Sequence, residues 1–246
     1  MKIAWERHGS GPSLLLIHGL GYARWGWEPV VEPLARSFEV LLFDNRGIGE
    51  SDVPPGPYTA AQMASDAVQV LDEAGVERTH VLGTSLGGMV AQELALTHPG
   101  RVDKLVLACT TPGGAGAHPM PEQTVRLLTN GATLRDFVAN ALEPDSRVEL
   151  VERILEHRLA TAQPPEGWLA QAAAGAEFDA YERAGSIAAP ALVLHGDGDV
   201  VVDPRNAELL AGLLPHASLE LLPGTGHLFF WQQPERFVGL VEEFLL

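Results

Sequence analysis

At 246 residues, with 32 acidic against 16 basic side chains and a net charge of −16, the chain has the size of one α/β domain and a surface that repels nucleic acid and anionic membrane. Its single cysteine, Cys109, excludes an intrachain disulfide, and no cluster with metal-ligand spacing appears, so no metal and no other cofactor is expected. Met1-Lys2-Ile3-Ala4 leads directly into strand with no signal-like apolar segment, and a cytoplasmic location is expected.

Ile3 to Arg7 and Ser13 to Ile17 read as strands, and Gly9-Ser10-Gly11-Pro12 between them suits a hairpin turn. Leu14-Leu15-Leu16-Ile17 is apolar throughout, as a strand buried on both faces must be. It runs into His18-Gly19-Leu20-Gly21. A helix over about 28–36 leads to the strand Val40-Leu41-Leu42-Phe43, which ends in the loop Asp44-Asn45-Arg46-Gly47-Ile48-Gly49-Glu50-Ser51. Thr59 and Gln62 have capping-box spacing. Met63, Ala67, Val70, Leu71 and Ala74 then line one helical face, and Gly75 stops the helix.

The next stretch organises the chain. His80 to Leu82 reads as a strand, Gly83-Thr84-Ser85-Leu86-Gly87 as a tight corner, and Val90, Leu94 and Ala95 as one face of a helix. A Gly-X-Ser-X-Gly pentapeptide between strand and helix holds its serine in a strained conformation. Only small residues two before and two after let the neighbouring chain approach. The hydroxyl is thereby presented at a helix amino end, where developing negative charge is favoured. A strand from Lys104 to Ala108 follows. Strand and helix thus alternate, which predicts an α/β fold with a mostly parallel, doubly wound sheet. Its site lies beyond the carboxyl ends of the strands.

The alternation breaks from Thr110 to Ser186, where helical patterns appear around Glu122–Leu128, Leu134–Leu142, Arg147–Ala160 and Trp168–Ala176, interrupted by Pro144, Pro164 and Pro165. Residues 110–186 are expected to form a helical cap over a core made of 1–109 and 187–246. The core resumes with strands at Ala191–Leu194 and Ser218–Leu222, Asp203-Pro204 opens a helix, and a closing helix begins at Pro234 with Phe237, Leu240, Val241 and Phe244 inward.

A serine hydroxyl needs a base within reach and an acid to orient that base. His227 follows the last strand in a Gly-X-Gly-His loop and is the candidate base. Asp199, after the penultimate strand, is the candidate acid, preferred to the turn residue Asp197 and to Asp203. Nucleophile, acid, histidine is the chain order of the α/β-hydrolase arrangement. The oxyanion donors expected are the backbone N–H groups of Leu86 and Leu20. His18 and His195, beside motif glycines, are read as structural.

These motifs, His18-Gly19, the Asp44–Ser51 loop, Gly83-Thr84-Ser85-Leu86-Gly87-Gly88, Gly196-X-X-Asp199 and Gly226-His227, resemble the α/β-hydrolase superfamily from Lys2 to the end. Trp27, Phe38-Glu39-Val40-Leu41 and Gly56-Pro57-Tyr58-Thr59 are similar to the carboxylesterase and 3-oxoadipate enol-lactonase branch, while the insert departs from it. The resemblance implies a serine hydrolase of carboxylic esters of small to medium acyl substrates, with lactonase, perhydrolase and low-turnover receptor as alternatives. Trp25, Trp27, Phe137 and Trp168 are candidates for the acyl pocket. Arg24, Arg46, Arg126 and Arg135 are the arginines weighed as an anion site, and no grouping of them is visible. With the acidic surface, this predicts mainly uncharged acyl substrates.

Overall fold

Seven strands form one sheet in the order β1-β3-β2-β4-β5-β6-β7 in the computed structural model of the chain, which describes residues 1–143 and 148–246. The strands are β1 (Trp5–Gly9), β2 (Ser13–Ile17), β3 (Glu39–Phe43), β4 (Thr79–Thr84), β5 (Val102–Ala108), β6 (Ala191–Gly196) and β7 (Ala217–Leu222). All neighbours are parallel except β1, which runs antiparallel to β3. Helices α1 (Glu28–Leu34), α2 (Ala60–Ala74) and α3 (Leu86–Thr97) link the first strands. After β5 come α4 (Glu122–Thr129), α5 (Leu134–Asn140), α6 (Val148–Ala160) and α7 (Pro165–Ala176), and α8 (Arg205–Leu213), α9 (Phe229–Gln232) and α10 (Pro234–Leu245) complete the chain.

The sheet is coated on both faces, which is why its central strands carry no polar alternation. Leu15, Ile17, Val81, Leu105 and Val193 face a core shared with α2 and α3. Leu14, Leu16, Leu82, Val106 and Leu192 face a second core built with Phe229, Phe230, Phe237 and Val241. In the closing helix Phe237 and Val241 are buried, while Leu240 and Phe244 pack only at its margin and Val238 and Leu245 complete the inner face. Ahead of α2 the Thr59 side chain accepts the Gln62 amide at 3.2 Å, and Gln62 Oε1 accepts the Thr59 amide at 3.1 Å. Gly75 closes the helix at φ 73°. Such a cap contributes about 1 kcal/mol.

The hairpin expected at Gly9–Pro12 does not form, because β3 lies between β1 and β2. Gly9 and Gly11 take φ of 73° and 132°, and a Cβ on either would collide with carbonyl oxygens of the Ala35–Phe38 segment that leads into β3. The connection wraps over that segment and delivers β1 to the far edge.

Between β5 and β6 the described residues hold helices and one isolated bridge, Gly113 to Asp179, but no strand pair. Pro164 and Pro165 start α7 rather than break a helix, with Pro165 at the first helical position. The expected positions Pro144 and Arg147 lie outside the described residues. This helical insertion packs on loops at the strand carboxyl ends. Gly167 approaches Gly47, Gln171 Nε2 donates to Arg46 O at 2.7 Å, and Arg153 pairs with Glu28 at 2.5 Å. No helix among the described residues is long and apolar enough to cross a membrane.

One close approach governs how β2, β4 and α3 meet. A Cβ on Gly87 would collide with the carbonyl oxygens of Ile17 and His18, whereas one on Gly100 meets nothing within 4 Å. Gly87→Ala should therefore lower unfolding free energy by roughly 1–3 kcal/mol, and Gly100→Ala should stay within about 0.5 kcal/mol of wild type. Urea unfolding of both proteins checks this.

Candidate active site

Ser85 sits between β4 and α3 at φ 53° and ψ −120°, a region a side-chain-bearing residue enters at a cost of order 1–3 kcal/mol. Neighbouring chain holds it there. The Ser85 amide donates to Ala108 O at 2.9 Å, and its carbonyl accepts Thr110 Oγ1 at 2.8 Å and the amides of Gly88 and Met89. A Cβ on Gly83 would meet the Gly87 carbonyl, and one on Gly88 would press on the Thr110 side chain at 2.6 Å. The small residues of the motif are thus required by contact. Cys109, buried beside this corner, has a positive φ of 44°, and burial with the nearby Asp199 charge raises its thiol well above the usual range.

The loop after β2 passes directly over the serine: a Cβ on Gly19 would lie 3.0 Å from Ser85 Cβ and 3.6 Å from Ser85 Oγ. Leu20 follows, and Leu86 opens α3. Neither amide N–H has an acceptor among the described residues. Two unused donors therefore flank the serine, one at a helix amino end, which is the arrangement a developing oxyanion requires.

Asp199 is 3% exposed and accepts from four donors. Oδ1 takes the amides of Val201 at 2.7 Å and Val202 at 3.0 Å, and Oδ2 takes His227 Nδ1 at 2.7 Å and His195 Nε2 at 3.0 Å. Burial by itself would raise this carboxyl. The adjacent His227 and the bonds from both imidazoles outweigh that, and hold it far below the ordinary carboxylate range. With His227 Nδ1 facing a carboxylate, the tautomer that carries its proton on Nδ1 leaves the Nε2 lone pair free. Asp197, by contrast, is exposed and accepts the Gly224 amide at 2.9 Å, and Asp203 accepts the Arg205 amide at the start of α8.

His18 and His195 have packing roles. His195 is fully buried, its Nε2 shared between Asp199 and Val202 O. His18 accepts the Gly19 amide at 2.7 Å and stacks on Tyr22 with centroids 4.7 Å apart. Burial, then the charges of His227 and Arg158, push it down to about 3, so its ring is neutral at neutral pH.

The four aromatic pocket candidates are dispersed. Trp27 is turned inward by the short 3₁₀ turn Arg24–Trp27, with its ring 0% exposed against His18 and Phe230. Trp25 stacks on His157 of α6 at 5.0 Å. Phe137 on α5 and Trp168 on α7 are half-buried. No ring contact joins any of these three to Ser85, Asp199 or His227 among the described residues. Sequence reasoning missed three residues that do meet the loop over the serine: Tyr22, Gln171, whose Oε1 accepts the Gly21 amide at 3.3 Å, and Arg158, which donates to Gly21 O. Only Tyr22 had a local signal, two residues past the Leu20 donor.

A mostly parallel sheet that places serine, carboxylate and histidine on loops after β4, β6 and β7 defines a hydrolase of the α/β type. The family model for the alpha/beta hydrolase fold matches residues 12–234, and the chain belongs to that family. It is 32% identical to a putative carbamate hydrolase RutD from Caulobacter sp. (strain K31), over 98% of this chain and 94% of that protein. Among solved structures it is similar to a thermophilic esterase from Thermogutta terrifontis, at 30% identity, TM-score 0.84, and coverage of 99% and 92%. It is also similar to the enol-lactonase from Burkholderia xenovorans LB400, at 26% identity, TM-score 0.83, and coverage of 99% and 96%.

The Asp199 environment generates a pH prediction. A carboxyl group held below its unfolded value of about 4 stabilises the fold at every pH above that value, and the contribution is lost as pH falls toward the folded value. Asp199→Asn lacks it. The stability gap between wild type and Asp199→Asn, from urea unfolding, should therefore narrow as pH is lowered from about 5 to about 2.5. A gap independent of pH contradicts the assignment.

Proposed function

We propose that the chain hydrolyses carboxylic esters of small to medium acids through an acyl-enzyme on Ser85. The observation that carries this reading is the 2.7 Å bond from His227 Nδ1 to the buried Asp199, in a sheet whose β4–α3 corner constrains Ser85 at positive φ. His227 Nε2 takes the Ser85 proton as Oγ attacks the acyl carbon. The Leu20 and Leu86 amides bind the oxyanion, and the imidazolium, stabilised by Asp199, protonates the departing alcohol. Water, deprotonated by the same histidine, then releases the acid and restores Ser85. Similarity to the Thermogutta esterase supports an ester as substrate. A lactone is an internal ester that takes the same steps, and similarity to the Burkholderia enol-lactonase favours it as the second form. In either form the partner is a small molecule.

A serine-directed organophosphonate should label Ser85 alone, mapped by peptide mass, and Ser85→Ala should lose on the order of 10⁴-fold in kcat with its circular dichroism unchanged. Labelling at Ser51 or Ser218 with Ser85→Ala still active would overturn the assignment.

A further inference from the structure

The arginines that the sequence offered as an anion site are all occupied. Arg24 binds Asp44, Glu6 and Glu50, Arg46 binds Asp66, Arg126 binds Glu122 and Arg135 binds Glu152. Arg158, near the end of α6, is different. It is half-buried, and no carboxylate pairs with it among the described residues, in a chain with twice as many acids as bases. One of its donors goes to Gly21 O, and the others have no acceptor among the described residues. Burial pushes the proton affinity of the guanidinium down, and only the Tyr22 hydroxyl works against that.

Its position is specific. Gly21 directly follows Leu20, and the guanidinium lies 5.0 Å over the Tyr22 ring, which also packs on His18 at 4.7 Å and Trp25 at 5.1 Å. Gly21 lies two residues past Gly19, which packs on Ser85, so the arginine is held against the loop that passes over the serine. A guanidinium in this setting presents a planar fork suited to bidentate binding of a carboxylate. From this we infer that Arg158, braced on Tyr22 and Gly21, is the subsite for a carboxylate at the far end of the acyl chain, so that the substrates are half-esters of dicarboxylic acids. The inference rests on Ser85 as the acylated residue and reverses the expectation of uncharged acyl groups. The acidic surface does not oppose it, because the local unpaired cation acts at contact distance while the surface field is screened within about 8–10 Å.

Monomethyl glutarate and methyl 5-methylhexanoate, in which an isopropyl group replaces the carboxylate, separate the possibilities. Wild type should favour the half-ester. In Arg158→Met the ratio of kcat/KM for half-ester over neutral ester should fall by about tenfold or more, through KM. Arg158→Gln, which retains a donor for Gly21 O, should lose the same selectivity. Equal losses on both esters, the result of a purely structural arginine, overturn the proposal. A second readout does not depend on turnover. Monomethyl glutarate titrated calorimetrically into Ser85→Ala protein should bind, and should bind at least about tenfold more weakly when Arg158→Met is added. No binding, or binding indifferent to Arg158, overturns the proposal. Failure of the Ser85 assignment is distinct: Ser85→Ala would then hydrolyse the esters at the wild-type rate.

Discussion

The carboxylate of Asp199 is the constraint on which the remaining geometry depends. A charge that is 3% exposed is tolerated only when its lone pairs are filled, and here two amides and two imidazoles fill them. Filling them forces two loops together. The Asp197 amide donates to Leu222 O and the Gly198 amide to Thr225 O, while Asp197 accepts the Gly224 amide, so the loop after β6 is knitted to the loop after β7. Gly196 permits this, since a Cβ there would strike the Thr225 and Gly226 carbonyls. His227 is the residue this seam delivers to the carboxylate.

The same seam reaches the serine through β5, which lies between β4 and β6. The Ser85 amide bonds to Ala108 O, and the Cys109 amide bonds to Leu194 O. The strained serine and β6, the strand that leads to Asp199, are thus tied to consecutive residues of one strand end. Among the described residues, both non-glycine positions with positive φ, Ser85 and Cys109, fall at this junction, where strain is tolerated because parallel-strand pairing on both sides fixes the backbone. The helical insertion adds a third hold. Gln171 and Arg158 grip the two backbone polar groups of Gly21, so the insertion and the oxyanion loop are mechanically linked.

What the sequence made legible follows from how local each determinant is. Ser85 and its glycines, the Thr59–Gln62 box and the stop at Gly75 are encoded within a few residues, and the pattern identifies them. Asp199 and His227 are far apart in the chain, and became legible through position after successive strands rather than through spacing. The Gly9–Pro12 turn misled because glycine-rich turns serve both hairpins and connections that step over a neighbouring strand. The direction of the Trp27 ring was not legible, because an aromatic ring near a site loop can turn inward as readily as outward, and a 3₁₀ turn decided it. The short helix α9, Phe229–Gln232, was invisible within an apolar run. Arg158 carried no local signal at all, since its distinction is the absence of an acid that only the folded chain could have supplied.

The central claim is that Asp199 holds the Nδ1 proton of His227, and proton NMR tests it most directly. A far-downfield, slowly exchanging imidazole N–H resonance should be present in the wild-type protein, absent in His227→Ala and in Asp199→Asn, and retained in Asp197→Asn. Survival of that resonance in Asp199→Asn, or its loss in Asp197→Asn alone, would contradict the account.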